Sequence, residues 1–364
     1  MTTHPVAAAL RERRDGARIA LVVEGGGMRG AVSGGMALAL DELGLARAFD
    51  AAYGSSAGCL NAMWLVSGRL RDGIPTWTDP SLVHELISRR RALRRQPVVD
   101  VETLVERRYE KLSPGLFDAV LSSPTELHPI ATEVASGEAV DLHGSIRDER
   151  TLRLALRASA TLPLLAGPPV ELDGRRLLDA GLSAAIPFRA ALTDGATHVL
   201  VLRSRREGET AQAPGGLSGT LMTRALRRID PAVARAFTTR AEREAEDERF
   251  LAECDVDPAR EPSVMSIRPA PDSPVPGRLE RDIDIVRGGL YAGQAAVLAA
   301  LGSPAVRPPL CPDCGQPASS ELAGPPHQWE CRNEACPEFG QPVQPNEPPS
   351  AEPNPGDDDA GRLP

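Results

Sequence analysis

The chain has 364 residues, a formal charge of −9, six cysteines, 34 prolines and 33 glycines, and only 12 aromatic side chains. A hydrophobic share of 41% supports a sizeable core, and the length allows one large domain with an appendage, or two domains. No three-residue glycine period marks a fibrous chain, and no apolar run approaches the roughly 20 residues of a bilayer span. Arginine outnumbers lysine 40 to one (Lys111), which reads as GC-rich coding bias; the acidic balance argues against a nucleic-acid partner.

The opening MTTHPVAAALRERRDGAR places a short alanine stretch before charges, the reverse of a signal peptide. A cytoplasmic, reducing setting is therefore expected, where cysteines serve as thiols or metal ligands. ARIALVVEGGG predicts a short strand ending in glycines, followed by a helix over Gly30–Leu43. FDAAYG reads as a second strand entering a helix at Ala57–Ser67, and arginine-rich amphipathic helices are expected over Ser81–Arg95 and Val101–Glu110. HPIATEVAS and EAVDL form a strand pair, ERTLRLALRASA a helix, and PPVELDGRRLLDAG a hairpin turning at Asp173-Gly174. THVLVLRS is a fully buried strand, followed by a charged helix over Pro231–Cys254, the strand VMSIRP and a helix over Asp282–Leu301. This alternation predicts an α/β sandwich around a largely parallel sheet.

Two strand ends carry the chemistry. Gly54-Ser55-Ser56-Ala57-Gly58 fits G-x-S-x-G between a strand and a helix, the setting of a nucleophile elbow. There a serine takes strained dihedrals and small neighbours let the backbone fold back; the alternative is a small-residue turn with a serine helix cap. Gly25-Gly26-Gly27-Met28-Arg29-Gly30 satisfies G-x-G-x-x-G, but the acidic residue a dinucleotide site needs at the end of the second strand is replaced by GSSAG. Bare glycine amides suit an oxyanion hole instead. For a base, Asp179 in LLDAG can take a proton directly in a water-poor site, or can be a turn aspartate bonding its own backbone. The order Ser56…Asp179…His198 also matches a hydrolase triad, although His198 opens an apolar strand and the serine arrives unusually early for that fold.

GGGMRG, GSSAG some 25 residues later, and ASATLPLLAGPPVELDGRRLLDAG together resemble the patatin-like phospholipases over roughly residues 18–302. The resemblance implies a three-layer α/β/α fold whose Ser–Asp dyad hydrolyses acyl esters of lipids without a catalytic histidine or metal. By position, Ser56 would be the nucleophile and Asp179 the base and orienter. Gly25, Gly26, Gly27 and Gly30 would shape the oxyanion loop, with Arg29 anchoring it, and Gly54, Gly58 and Gly181 would support the motifs. Ala180 departs from the glycine often found after the aspartate, so this turn must tolerate a Cβ. A lipid substrate implies transient contact with a membrane surface. The five arginines within Ser88–Arg95 could attract anionic headgroups or form an ordinary solvated face. Trp64, Trp77 and Met63 could line an acyl pocket, with plain core as their alternative role.

Beyond the domain at 18–302, and its extension at 1–17, the composition shifts. Cys311-x2-Cys314, a 16-residue gap and Cys331-x4-Cys336 suit a structural zinc site of four thiolates over residues 303–340, with His327 as a substitute ligand. Such a module is expected to bind a protein partner or shield the domain. Residues 341–364, with five acids and one arginine among many prolines, are expected to be a disordered tail. An acyltransferase on a related fold, or a non-catalytic adaptor working through the zinc module, are the alternative functions.

Overall fold

The computed structural model describes residues 4–13, 15–94, 96–209, 216–257, 260–302, 311–314, 318–320, 329–333 and 335–343. They fall in two units, Met1–Leu301 and Gly302–Pro364. His327, Arg95 and residues 344–364 of the expected tail lie outside the described residues.

The first unit is built on β1 (Ile19–Val23), β2 (Ala51–Ser55), β3 (Glu126–Glu133), β4 (Ala139–Asp141), β5 (Val170–Leu172), β6 (Arg175–Asp179), β7 (His198–Leu202) and β8 (Ser263–Ile267). The sheet order is β5-β6-β3-β2-β1-β7-β8, with β4 also pairing β3. β3, β2, β1, β7 and β8 run parallel, whereas β4 and β6 run antiparallel to β3. β1 is buried at every position, and β7 at every position after His198. Continuous Val and Leu runs of this kind are what a strand covered on both faces requires. Val23 pairs both Gly54 and Leu202, so β1, β2 and β7 finish level and their following loops converge on one edge. In open parallel sheets that carboxyl edge is where ligands bind.

The local elements follow sequence chemistry. Asp173 and Gly174 both take positive φ, 51° and 73°, giving the turn that joins β5 to β6. The helix Glu149–Ala160 opens on a capping box: Thr151 N–H donates to Asp148 Oδ1 at 2.7 Å, and Asp148 N–H to Thr151 Oγ1 at 3.0 Å. Ahead of the sheet, α1 (Pro5–Arg11) buries Val6, Ala7, Ala9 and Leu10. α2 (Gly30–Glu42) follows the glycine loop, and α3 (Ala57–Val66) follows the GSSAG turn. α2 packs backbone-to-backbone against the final helix, Ile283–Leu301: a Cβ on Gly35 would sit 1.9 Å from the Leu290 carbonyl, and one on Gly293 1.9 Å from that of Val32.

Two stretches differ from expectation. The helix predicted over Ser81–Arg95 is a helix only over Pro80–Leu86. Ile87 is extended and bridges Val99, Ser88 N–H donates to the Val98 carbonyl at 2.8 Å, and Arg89–Arg94 forms a 3-10 turn. Cross-strand pairing of β-branched Ile87 has overridden the helical period. The helix Gly216–Ile229 was not expected, because glycines and threonines dilute its helical signal.

In the second unit Ser319–Ser320, Trp329–Glu330 and Pro342–Val343 form a small antiparallel sheet. Cys311, Cys331 and Cys336 are buried with Ala318 and Val343.

Candidate active site

Ser56 stands between β2 and α3 with φ 53° and ψ −127°, a conformation that costs a non-glycine residue about 1–3 kcal/mol. The flanking glycines permit this turn. A Cβ on Gly54 would lie 2.3 Å from Cys59 Cα, and one on Gly58 2.4 Å from the Val23 carbonyl oxygen. The Ser56 N–H donates to Ser159 Oγ at 3.1 Å, which ties the elbow to the Glu149–Ala160 helix. An elbow this crowded accepts no other side chains.

The glycine loop faces it across the sheet edge. Gly25 N–H donates to the Ala185 carbonyl, Met28 N–H to that of Arg278 (both 3.1 Å) and Arg29 N–H to that of Gly26 (3.3 Å). Among the described residues, the amides of Gly26 and Gly27 have no partner within the chain. Arg29 pairs with Glu209 at 2.8 Å. Gly30 carries no free amide, but its carbonyl accepts from Asn61 Nδ2 at 2.7 Å. Asn61 also holds Ser33 Oγ at 2.9 Å and accepts from Trp77 Nε1 at 3.0 Å.

Asp179 ends β6 and is buried. Its Oδ1 accepts the Gly181 N–H at 2.7 Å, while its own carbonyl accepts from Thr132 Oγ1 at 2.9 Å. Burial pushes its pKa up; the Ser56 hydroxyl, the Gly181 amide and the nearby Arg278 and Arg240 charges oppose that rise. Ala180 is not among the described residues with positive φ, so its Cβ is accommodated. The glycine is needed one position later, where a Cβ on Gly181 would lie 2.9 Å from Asp179 Oδ1.

Ser56, Asp179, Gly25, Gly26 and Gly27 all line one cavity of about 400 Å³. Its remaining wall is largely apolar, with Leu60, Leu82, Leu86, Leu104, Leu162 and Phe237 among the lining residues. Such a pocket, with a few convergent polar groups, has the composition of a small-molecule site. Residues 21–192 match the patatin-like phospholipase family. The chain carries a patatin-like phospholipase domain. It is 29% identical over 202 residues to "Uncharacterized protein YjjU" of Escherichia coli (strain K12), covering 51% of this chain and 52% of that protein. The chain thus spans about half the length of this relative. Among solved structures, VipD from Legionella pneumophila overlaps 78% of this chain and 67% of its own, at 13% identity and a TM-score of 0.34. A chain of the SpcU–ExoU complex of the Pseudomonas aeruginosa type III secretion system overlaps 64% of this chain and 53% of its own, at 16% identity and a TM-score of 0.21.

Among the described residues, no histidine lines the cavity of the patatin-like domain. His198 pairs Ile19 at the start of β1, whereas Gly54 pairs Val23 at its end. Four residues of strand, roughly 13 Å, therefore separate His198 from the edge where Ser56 stands. Trp77 lines the cavity, while Trp64 and Met63 are buried core. In the arginine-rich stretch, Arg91 turns back onto the Glu85 carbonyl at 2.7 Å and the Leu86 carbonyl at 3.3 Å. Among the described residues, no helix is long and apolar enough to cross a membrane.

Sequence reasoning missed the scaffold behind the patatin-like loop. The Glu24 carboxylate, fully buried at the end of β1, accepts from Arg203 Nε at 3.1 Å and from Ser204 N–H at 2.8 Å. Ser204 Oγ in turn donates to the Gly25 carbonyl at 3.0 Å. Burial would raise the Glu24 pKa, yet Arg203 and Arg205 hold it below the ordinary value. An acid directly after a buried strand (LVVE) and a base after its neighbour (VLRSR) were the available signal.

In the second unit the four cysteine Sγ atoms lie within 4.8 Å of one another, with Cys311–Cys336 at 3.8 Å and Cys314–Cys331 at 3.7 Å. Disulfide sulfurs would be about 2.05 Å apart. Zinc–sulfur bonds of about 2.3 Å set tetrahedral thiolates about 3.8 Å apart, so the spacing fits a metal-bound set.

Proposed function

We propose that the cavity hydrolyses acyl esters of lipids through a Ser56–Asp179 dyad. The observation that carries this reading is the strained Ser56 sharing an apolar cavity with a buried carboxylate and two unpaired glycine amides. Ser56 Oγ attacks the ester carbonyl carbon as Asp179 takes its proton. The oxyanion that forms is held by the amides of Gly26 and Gly27, joined by that of Ala57, the residue after the nucleophile. Collapse of the intermediate expels the alcohol, which recovers the proton from Asp179. Water, deprotonated by the same carboxylate, then releases the fatty acid and restores Ser56. Arg29 acts at one remove, fixing the loop through Glu209.

Cys311, Cys314, Cys331 and Cys336 would hold one zinc ion with a structural role, stabilising a unit too small to hold a core without it. The ester reaction is assigned to the first unit alone.

Ser56→Ala should lower hydrolysis of a short-chain nitrophenyl ester by at least about 10³-fold while leaving the circular dichroism spectrum unchanged. Fluorophosphonate labelling should mark wild type at Ser56 and leave the variant unlabelled. Retained hydrolysis in purified Ser56→Ala would sink the assignment. Loss in His198→Ala with activity kept in Asp179→Asn would return the triad.

A further inference from the structure

One part of the cavity wall is built from arginines that the reaction above does not use. Arg205 follows β7, Arg240 lies on the helix Pro231–Val256, and Arg278 lies in the loop before the final helix; all three line the cavity with Ser56 and Asp179. None falls within the segment 21–192 that matches the family.

Among the described residues, the carboxylates that face these three cations are shared: Asp179 lies in the field of both Arg240 and Arg278, and Glu244 and Glu24 serve more than one arginine. Glu244 pairs Arg205 at 2.8 Å and Arg240 at 3.2 Å, so one carboxylate is shared between two guanidinium groups. Glu24, 3.7 Å from Arg205, is already engaged by Arg203. The Arg205 side chain is only 5% exposed, and its Nη1 has no hydrogen-bond partner among the described residues. Among the described residues Arg278 forms no ion pair, and it is exposed. Like charges collected around an accessible cavity raise the energy of the empty protein and lower that of a complex with an anion. Planar guanidinium groups are well suited to phosphate oxygens.

We infer that Arg205, Arg240 and Arg278 form a phosphate subsite beside Ser56, selecting acyl esters whose alcohol portion carries a phosphate over neutral acylglycerols. This rests on the hydrolase reading for its place in catalysis, but the binding it predicts does not. With the ester carbonyl at Ser56 and the acyl chain on the apolar wall, the alcohol side is directed to the arginines. The same cations hold Asp179 towards its ionised form, so a purely electrostatic role for them is the rival that the experiment must separate.

The test uses the full-length Ser56→Ala protein, titrated calorimetrically with lysophosphatidate and with the monoacylglycerol of the same acyl chain. Lysophosphatidate should bind at least about tenfold tighter, the scale of one charge-assisted hydrogen bond. Adding Arg278→Gln should erase most of that ratio, and Arg278→Lys should restore part of it. Inorganic phosphate should weaken lysophosphatidate binding competitively and leave monoacylglycerol binding unaffected, which distinguishes a headgroup subsite from a separate site for free phosphate. Equal affinity for the two lipids, a ratio that survives Arg278→Gln, or non-competitive behaviour of phosphate would overturn the inference. So would an Arg278→Gln variant, with Ser56 intact, that shifts the pH profile equally for both lipids while the binding ratio stays unchanged. A phosphate preference in a protein without hydrolytic activity would reject the dyad and leave the subsite standing.

Discussion

Asp179, the proposed base, meets two opposed demands, because the buried setting that would keep water from it also raises the energy of its ionised form. Burial holds its folded pKa above the value it has in the unfolded chain. Between those two values the folded chain keeps a proton that the unfolded chain has released, so stability falls as pH rises through that window. Above it, the cost of holding the carboxylate ionised is present in full. Asp179→Asn should therefore raise the melting temperature at pH 8 by more than at pH 4, while hydrolysis falls by about 10²–10⁴-fold, the usual share of a general base. Thermal melts at the two pH values check the sign. A variant less stable than wild type at pH 8 would show that the carboxylate is a net stabiliser. The acid limb of kcat should likewise lie above the ordinary aspartate range. Ser56 and Asp179 were legible in the sequence because each announces itself locally, through a strand, a tight turn and small neighbours. Arg205, Arg240 and Arg278 were not, since 73 residues separate the first from the last and only tertiary packing gathers them.

At the scale of elements, the strand–helix alternation was readable along the parallel core because buried strands need continuous apolar runs and helices need their own period. It failed where partners outside the segment decided the outcome. Ile87 left its helix to bridge Val99, and Gly216–Ile229 formed despite a weak helical sequence. That second helix supplies Met222 and Leu226 to the cavity wall, so part of the apolar lining was invisible too. The contact between α2 and the Ile283–Leu301 helix gives a sharper prediction. A methyl at Gly293 meets the Val32 carbonyl 1.9 Å away and can be admitted only by moving one helix. Gly293→Ala should cost about 1–3 kcal/mol in denaturant unfolding. Because α2 continues from the glycine loop, kcat should also fall; an unchanged midpoint would mean that the helices slide freely.

For the molecule as a whole, the acidic balance and the cysteine count each divide by region. Residues 341–364 carry net −4 of the −9, and four of six cysteines gather in the second unit. Full-length protein purified without chelator should contain about one zinc per chain, released in parallel with loss of the second unit's amide protection. Chelation should leave nitrophenyl ester hydrolysis within about twofold of its starting value; a metal content near zero in protein with intact protection would remove zinc from the account. A different consequence follows from the grip on the glycine loop. Met28 N–H rests on the carbonyl of Arg278, and the helix beyond it clasps α2 through Gly293. A nascent chain that has emerged only as far as residue 270 already holds Ser56 and Asp179, but not the segment that pins the glycine loop. Synthesis at about 5–20 residues per second leaves an interval of seconds before that segment appears. On the proposed mechanism, the unfinished protein would lack a complete centre during that interval, and ester hydrolysis would arise only when the last helix docks.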